Sequence, residues 1–366
     1  MLTAVEPADF PWGDYRRYTF SLGVRSDDLL VLSGQTASAY DRERRTTVLP
    51  EGLAAQADAI YDKIDVVLAT AGAVVDDVTH VVEYVVEGMV DQLDVVAEVR
   101  ARRLSSAAPW VRTLCVDRLL RPDALIEIAV ELRTRSGEQD RDGTFDLPAI
   151  VPVRTLDHAL DQQVDEVLDL AERELAAAGA DWSHVVFALE HLATGTDRLP
   201  EHTVLDRADR IGHARTAGAR VGTRRLAHPG ALVQLDLKVS RVAVERIDGD
   251  GSFVGPATLV AATRTPTRVY LSAQQGGAAA GTGDVRAEVA TAYRRLLAVA
   301  AAAGATPASL VETIEHVTHA GLDGYAETAE VRRELLPQPF TAATGTVCSA
   351  VEGSGCFTLY GTAVVG

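Results

Sequence analysis

Three stretches of the chain carry the same alternation of apolar and polar positions. In the first, Leu53, Ala57, Ile60, Ile64 and Leu68 recur at helical spacing and fall on one face. That helix stops at Ala71-Gly72-Ala73, and a short polar link leads into the apolar run Val81-Val82-Glu83-Tyr84-Val85-Val86. The second stretch has Val164, Leu168 and Leu175, stops at Ala178-Gly179-Ala180, and continues into Val185-Val186-Phe187-Ala188-Leu189. The third has Val289, Leu296 and Val299, stops at Ala303-Gly304-Ala305, and continues into Leu310-Val311-Glu312-Thr313-Ile314. A helix commonly ends in a left-handed residue, a conformation that glycine adopts without steric cost. One such ending says little, but three with matching flanks identify an internal repeat.

Each repeat then offers a second helix, over Val90–Leu104, Val204–Arg210 and Tyr325–Leu336. A closing apolar hairpin is expected over Arg112–Leu132, Arg220–Val242 and Thr346–Val364. An opening hairpin precedes the helix over Phe20–Gln35 and Thr258–Gln274, whereas the middle repeat has only Phe145–Val153 in that place. The Ser136–Gly143 and Asp248–Pro256 segments read as linkers, and Gly276 to Gly283 as a flexible loop. The pattern predicts an α+β chain of three units, 1–135, 144–247 and 257–366, each of ordinary domain size.

Composition narrows the function. A net charge of −17 gives a phosphate backbone no broad basic surface, so nucleic acid is not an expected partner. The three cysteines, Cys115, Cys348 and Cys356, form no CxxC pair and predict no disulfide framework. The N-terminal stretch lacks a signal-peptide pattern and no apolar run reaches membrane-spanning length, so a cytoplasmic protein is expected. No phosphate-binding or dinucleotide motif is present and His316 and His319 lack a third ligand, so neither cofactor nor metal is expected.

The first repeat resembles the RidA/YjgF family. The residues that carry the resemblance are Phe20-Ser21 leading to Val24-Arg25, the strand Leu29-Leu30-Val31-Leu32-Ser33-Gly34-Gln35, the Ala71-Gly72-Ala73 ending, and Arg112 followed by Leu125-Ile126-Glu127-Ile128. The resemblance implies a sheet with two helices on one face, normally assembled as a trimer with clefts between neighbours. Three copies in one chain then imply a covalent pseudo-trimer, alone or as a small homo-oligomer. It further implies hydrolysis of a small carboxylated enamine or imine, with Arg112 holding the carboxylate, Glu127 activating water, and Phe20, Ser33 and Gln35 lining the site. The ribonuclease label sometimes attached to the family conflicts with the charge of this chain.

Departures from the pattern are equally specific. Phe20 stands where the family has tyrosine; Gln234 and Thr358 take the glutamate position in the second and third repeats; Ala343 is expected at the arginine position of the third, and Arg220 is one residue out of register in the second. One functional cleft is therefore expected, containing both Arg112 and Glu127. Two other readings stand beside the deaminase: a diverged biosynthetic hydrolase or lyase, with fused YjgF-like chorismatases as precedent, and a binding protein without catalysis. Cys115 reads as a buried thiol, and Glu190-His191 and Glu315-His316 as inherited packing.

Overall fold

The computed structural model describes residues 2–104, 109–133, 143–212, 214–249, 253, 255–277 and 284–366. The three expected linker and loop segments lie wholly or partly outside them. In the first third, β1 (Thr3–Val5), β2 (Gly23–Arg25), β3 (Leu29–Leu32), β4 (Gln35–Thr36) and the small ribbon β5 (Ala39–Asp41) and β6 (Thr46–Val48) precede α1 (Leu53–Thr70). There follow β7 (His80–Val86), α2 (Leu93–Arg103), β8 (Trp110–Val116), β9 (Arg118–Leu119) and β10 (Ile126–Arg133). The sheet order is β1-β2-β3-β10-β7-β8, with β4 also on β10 beyond a break at Ser33-Gly34. Ile60, Ile64 and Leu68 of α1 are fully buried with Val81, Val85, Ile126 and Ile128 of the sheet, as the helical and strand periods require. Gly72 ends α1 at φ 72°, the left-handed conformation expected there.

The middle third comprises β11 (Thr144–Asp146), α3 (Leu160–Ala177), β12 (Val185–Ala193), the single turn α4 (Ala208–Ile211), β13 (Ala217–Thr223), β14 (Val233–Ser240) and β15 (Glu245–Ile247). The last third comprises β16 (Ala262–Arg264), β17 (Arg268–Gln275), α5 (Val285–Ala302), β18 (Leu310–Thr318), α6 (Thr328–Leu335), β19 (Ala342–Cys348), β20 (Ala350–Val351) and β21 (Phe357–Val364). The third sheet runs β15-β16-β17-β21-β18-β19-β9, which repeats the order of the first strand for strand and adds β9 at its edge. The second sheet is β11-β14-β12-β13-β20, so β11 stands where β3 does and the two outer strands are missing. Phe145, where the sequence offers only Phe145–Val153 in place of an opening hairpin, lies in β11. The place of Glu245–Ile247 was not legible in the sequence: these residues pair with β16 in the third sheet, not with the second.

The expected closing hairpins are not hairpins. In each sheet the two strands flank a third: β8 and β10 lie on either side of β7, parallel and antiparallel to it, and β13/β14 and β19/β21 repeat this around β12 and β18. The middle second helix is reduced to α4 after a 3-10 turn at Val204–Asp206.

The helix-free faces of the three sheets share one apolar cluster, with Tyr84, Leu114 and Val116 from the first, Leu189, Ala219 and Val221 from the second, and Ile314, Val351 and Tyr360 from the third among its members. Edge strands cross between sheets, β9 onto β19 and β20 onto β13. Asp117 sits beside these crossings with its side chain buried. Its carboxylate accepts from the Arg224 amide at 2.8 Å and the Ser349 hydroxyl at 2.5 Å, and pairs with His319 at 2.9 Å. Among the described residues no helix is long and apolar enough to cross a membrane.

Candidate functional site

The break between β3 and β4 positions the site. Ser33 Oγ donates to the Ser21 carbonyl at 2.6 Å and accepts from the Ala343 amide of β19 at 2.8 Å, so this buried hydroxyl ties the first sheet to the third. The Gly34 amide donates to Thr344 Oγ1 at 3.1 Å, and Gln35 Nε2 returns to the Ser33 carbonyl at 3.1 Å. Gly34 leaves room for what lies across from it: a Cβ there would stand 2.0 Å from a carboxylate oxygen of Glu127. The glycine of the Ser-Gly-Gln strand is thus explained by close approach to an acid, not by backbone strain.

Glu127, the second residue of β10, is buried and lines a cleft of about 260 Å³. Phe20, Gln35 and Lys63 stand on one side, Arg121 at the turn before β10, and Ala343, Gly345, Tyr325 and Arg332 on the wall from the last third. The Glu127 carboxyl makes no hydrogen bond to a described residue. Burial pushes its pKa up to about 8, and the Lys63 ammonium opposes the shift without cancelling it. Lys63 donates to the carbonyls of Thr36 and Ser38, both at 2.6 Å, while burial followed by the nearby Arg121 lowers its pKa to about 8. Arg332 is engaged with Glu315, its Nε 3.0 Å from Oε1. Arg121 alone among the lining cations has no partner among the described residues. Near neutral pH the cleft therefore holds a neutral acid beside two cations, which suits proton transfer on a small anion.

Of the expected site residues, Glu127, Phe20 and Gln35 line this cleft, and Phe20 stacks on Tyr18 at 4.8 Å. Ser33 serves as the joint behind it. Arg112 is not in the cleft. It sits on β8 beside Val82, on the helix-free face, and lines a separate chamber with its guanidinium 5.4 Å from the Trp110 ring. The single cleft combining Arg112 with Glu127 is thus corrected to two cavities. The reason is geometric: Glu127 faces β19 of the last third, whereas β8 carries Arg112 toward β14 and β18.

Strand register also refines the comparison of copies. Glu127 lies opposite Tyr84, Gln234 opposite His191 and Thr358 opposite His316, as expected for one repeated position. Arg112 lies beside Val82, Ala219 beside Leu189 and Thr344 beside Ile314, so the third copy has Thr344, not Ala343, at the arginine position. Arg220 is one residue along and points the other way, to Asp206 at 2.8 Å and Glu352 at 2.6 Å. The glutamates of the two Glu-His pairs are held by local partners: Glu190 accepts from Thr203 Oγ1 and the Val204 amide, and Glu315 from Tyr325 and Arg332. Glu83 is their counterpart in the first copy, with Arg100 and Thr113 as partners. Cys115 is buried, which pushes its thiol up to about 12. Sequence reasoning missed Arg121. Its only signal was a lone cation in the Arg-Pro-Asp turn that leads into Glu127.

Residues 15–131 match the family model described as Endoribonuclease L-PSP. Among solved structures the chain is similar to Rv2704, a member of the YjgF/YER057c/UK114 family from Mycobacterium tuberculosis, at 25% identity and TM-score 0.30, over 37% of this chain and 100% of that one. It is similar to RidA from the Antarctic bacterium Psychrobacter sp. at 26% identity and TM-score 0.28, over 32% and 89%. Protein YJGH matches at 29% identity and TM-score 0.31, over 36% and 95%. No curated protein matches the chain. The stretch matched by that family model, residues 15–131, is the one that carries the Ser-Gly-Gln strand and Glu127.

Proposed function

We propose that the chain is a RidA-like hydrolase whose Glu127 moves protons on a small carboxylated enamine or imine. The observation that supports this reading most is the neutral, unpartnered carboxyl of Glu127 in a cleft with Lys63 and Arg121. Arg121 takes the substrate carboxylate at the rim, the role the sequence gave to Arg112. Protonated Glu127 donates to the enamine carbon and leaves an iminium. The resulting carboxylate takes a proton from water as its oxygen adds to the iminium carbon. Collapse of the carbinolamine releases ammonia and leaves the ketone, so enamine and water are consumed one to one. Incubating the protein with 2-aminoacrylate generated in place, and following ammonia release, tests this. Turnover lost in Glu127→Gln supports it, and no turnover by the unsubstituted chain overturns it.

Three units, 1–135, 144–247 and 257–366, closed into a pseudo-threefold ring, form the architecture we propose around this cleft, with β15 at the end of the second unit's chain reaching onto the third sheet. The repeated strand order and the shared helix-free faces support it. A particle near the 39.0 kDa of one chain in light scattering, or a small multiple of it, is the expected result. A diverged hydrolase or lyase is the second reading. Its support is the cleft wall itself, where Ala343 and Gly345 stand and no arginine of the expected strand enters.

A further inference from the structure

The proposed chemistry uses one side of the Glu127 cleft and leaves the other unexplained. Four aromatic residues, Phe10, Trp12, Tyr18 and Phe20, line it from the segment that joins β1 to β2. That segment is fixed along its length. The buried Tyr15 hydroxyl donates to the Pro7 carbonyl at 2.6 Å, the Tyr40 amide to the Trp12 carbonyl at 2.9 Å, and the Ser21 hydroxyl to the Phe340 carbonyl of the last third at 2.6 Å. Phe10 meets Trp12 edge-on, their ring centres 5.1 Å apart, and packs against the core of the first third. Trp12, Tyr18 and Phe20 join no apolar core among the described residues. They stay partly exposed, Tyr18 by 39%. Core packing therefore does not account for them. Rings held half-bare on a fixed wall are apolar surface that a ligand can take out of water. Charge lies close by: the Lys63 ammonium is 6.0 Å from the centre of the Trp12 ring, and Arg121 lines the same cleft.

We infer that these rings form an aryl subsite and that the substrate is a carboxylated enamine or imine with an aromatic side chain, its ring against Trp12 and the Tyr18–Phe20 stack and its carboxylate on Arg121. For the enamine the inference rests on the proposed role of Glu127; for the ring it rests on the aromatic wall alone. Size points to the same class. A cavity of about 150 Å³ takes benzene, so the cleft of about 260 Å³ takes roughly ten non-hydrogen atoms, which is a ring with a short carboxylated arm. 2-Aminoacrylate leaves much of that space unfilled.

Binding and turnover are read separately. Calorimetry compares phenylacetate with acetate. The imines of phenylalanine and alanine, generated in place by an amino acid oxidase, are compared by kcat/KM above spontaneous hydrolysis. The expected result is one phenylacetate per chain, bound at least about tenfold more tightly than acetate, with a kcat/KM advantage of similar size for the phenylalanine imine. Trp12→Ala lowers both ratios about tenfold. Phe20→Leu keeps an apolar side chain without the ring, lowers both ratios as well, and decides the matter if Trp12→Ala fails to fold. Tighter phenylacetate with neither imine turned over supports the subsite and overturns the hydrolase. Phenylacetate within about twofold of acetate, or a preference that both substitutions leave within about twofold, overturns the subsite, and turnover of the alanine imine then leaves the hydrolase standing.

Discussion

The seam between the first and third sheets and the seam between the first and second use corresponding strand positions to different ends. At the first, Ser33 links its own strand to the Ala343 amide, and the gap beside it becomes the Glu127 cleft. The same device recurs between the third and second sheets, where Ser272 Oγ donates to Val260 at 2.6 Å and accepts from the Gly218 amide at 2.9 Å. Between the second and first sheets no such serine is found among the described residues, where β11 alone stands beside β14 on that edge. Trp110 Nε1 instead donates to the Leu147 carbonyl at 3.1 Å, and Arg112 beside it faces the interior chamber. The two seams therefore differ in what holds them: a serine joint beside the Glu127 cleft at one, and at the other a tryptophan contact beside an arginine that faces the interior.

The sharpest way to break this comparison is Glu127→Gln, expected to lower kcat by about 10²–10⁴ with substrate binding kept, as steady-state kinetics will read. A loss of that size from Arg112→Gln and not from Glu127→Gln would reverse the assignment of the two cavities.

Much of this division was visible in the chain. Helical spacing and three glycines located α1, α3 and α5, and Glu127, Gln234 and Thr358 each lie in the strand paired with β7, β12 or β18, opposite Tyr84, His191 and His316. Arg112 was harder because side chains alternate between faces: one residue of slip sends a side chain to the opposite side, and nothing local says which neighbouring sheet that side meets. The closing strands read as hairpins because insertion of β7, β12 or β18 between them is a long-range pairing with no local signal. Arg121 lay in a turn without periodicity, and its role depends on a wall supplied by Ala343 and Gly345.

The next effect is on stability. Glu127 has a folded pKa near 8 against an ordinary 4.5, so the folded state binds the extra proton between those values and stability falls as pH rises from about 4.5 to about 8. Removing the ionisable group in Glu127→Gln abolishes that part of the slope and makes the variant more stable at pH 8 by on the order of 3 kcal/mol, measured by denaturant melts across pH. Gly34→Ala follows, with a methyl forced against the carboxylate. It is expected to cost about 1–3 kcal/mol and to depress turnover. Arg121→Ala, removing an exposed anchor, is expected to raise KM about tenfold with a smaller effect on kcat. Smallest and most diagnostic for the seams, Ser33→Ala and Ser272→Ala should each cost about 1 kcal/mol in thermal unfolding, and by similar amounts. A large inequality would show that the two serine joints are not equivalent.

The exchanged edge strands bear on how this chain can be cut. β9 belongs in sequence to the first third but completes the edge of β19, and β20 does the same for β13. A fragment made by cleavage between the first and second thirds carries away the strand that covers another sheet, and the remainder presents a bare β19 edge whose free amides and carbonyls are a template for pairing with foreign chains. Proteolysis at that point would yield material prone to aggregate, not a set of independent folding units, which makes the intact chain the smallest piece worth expressing.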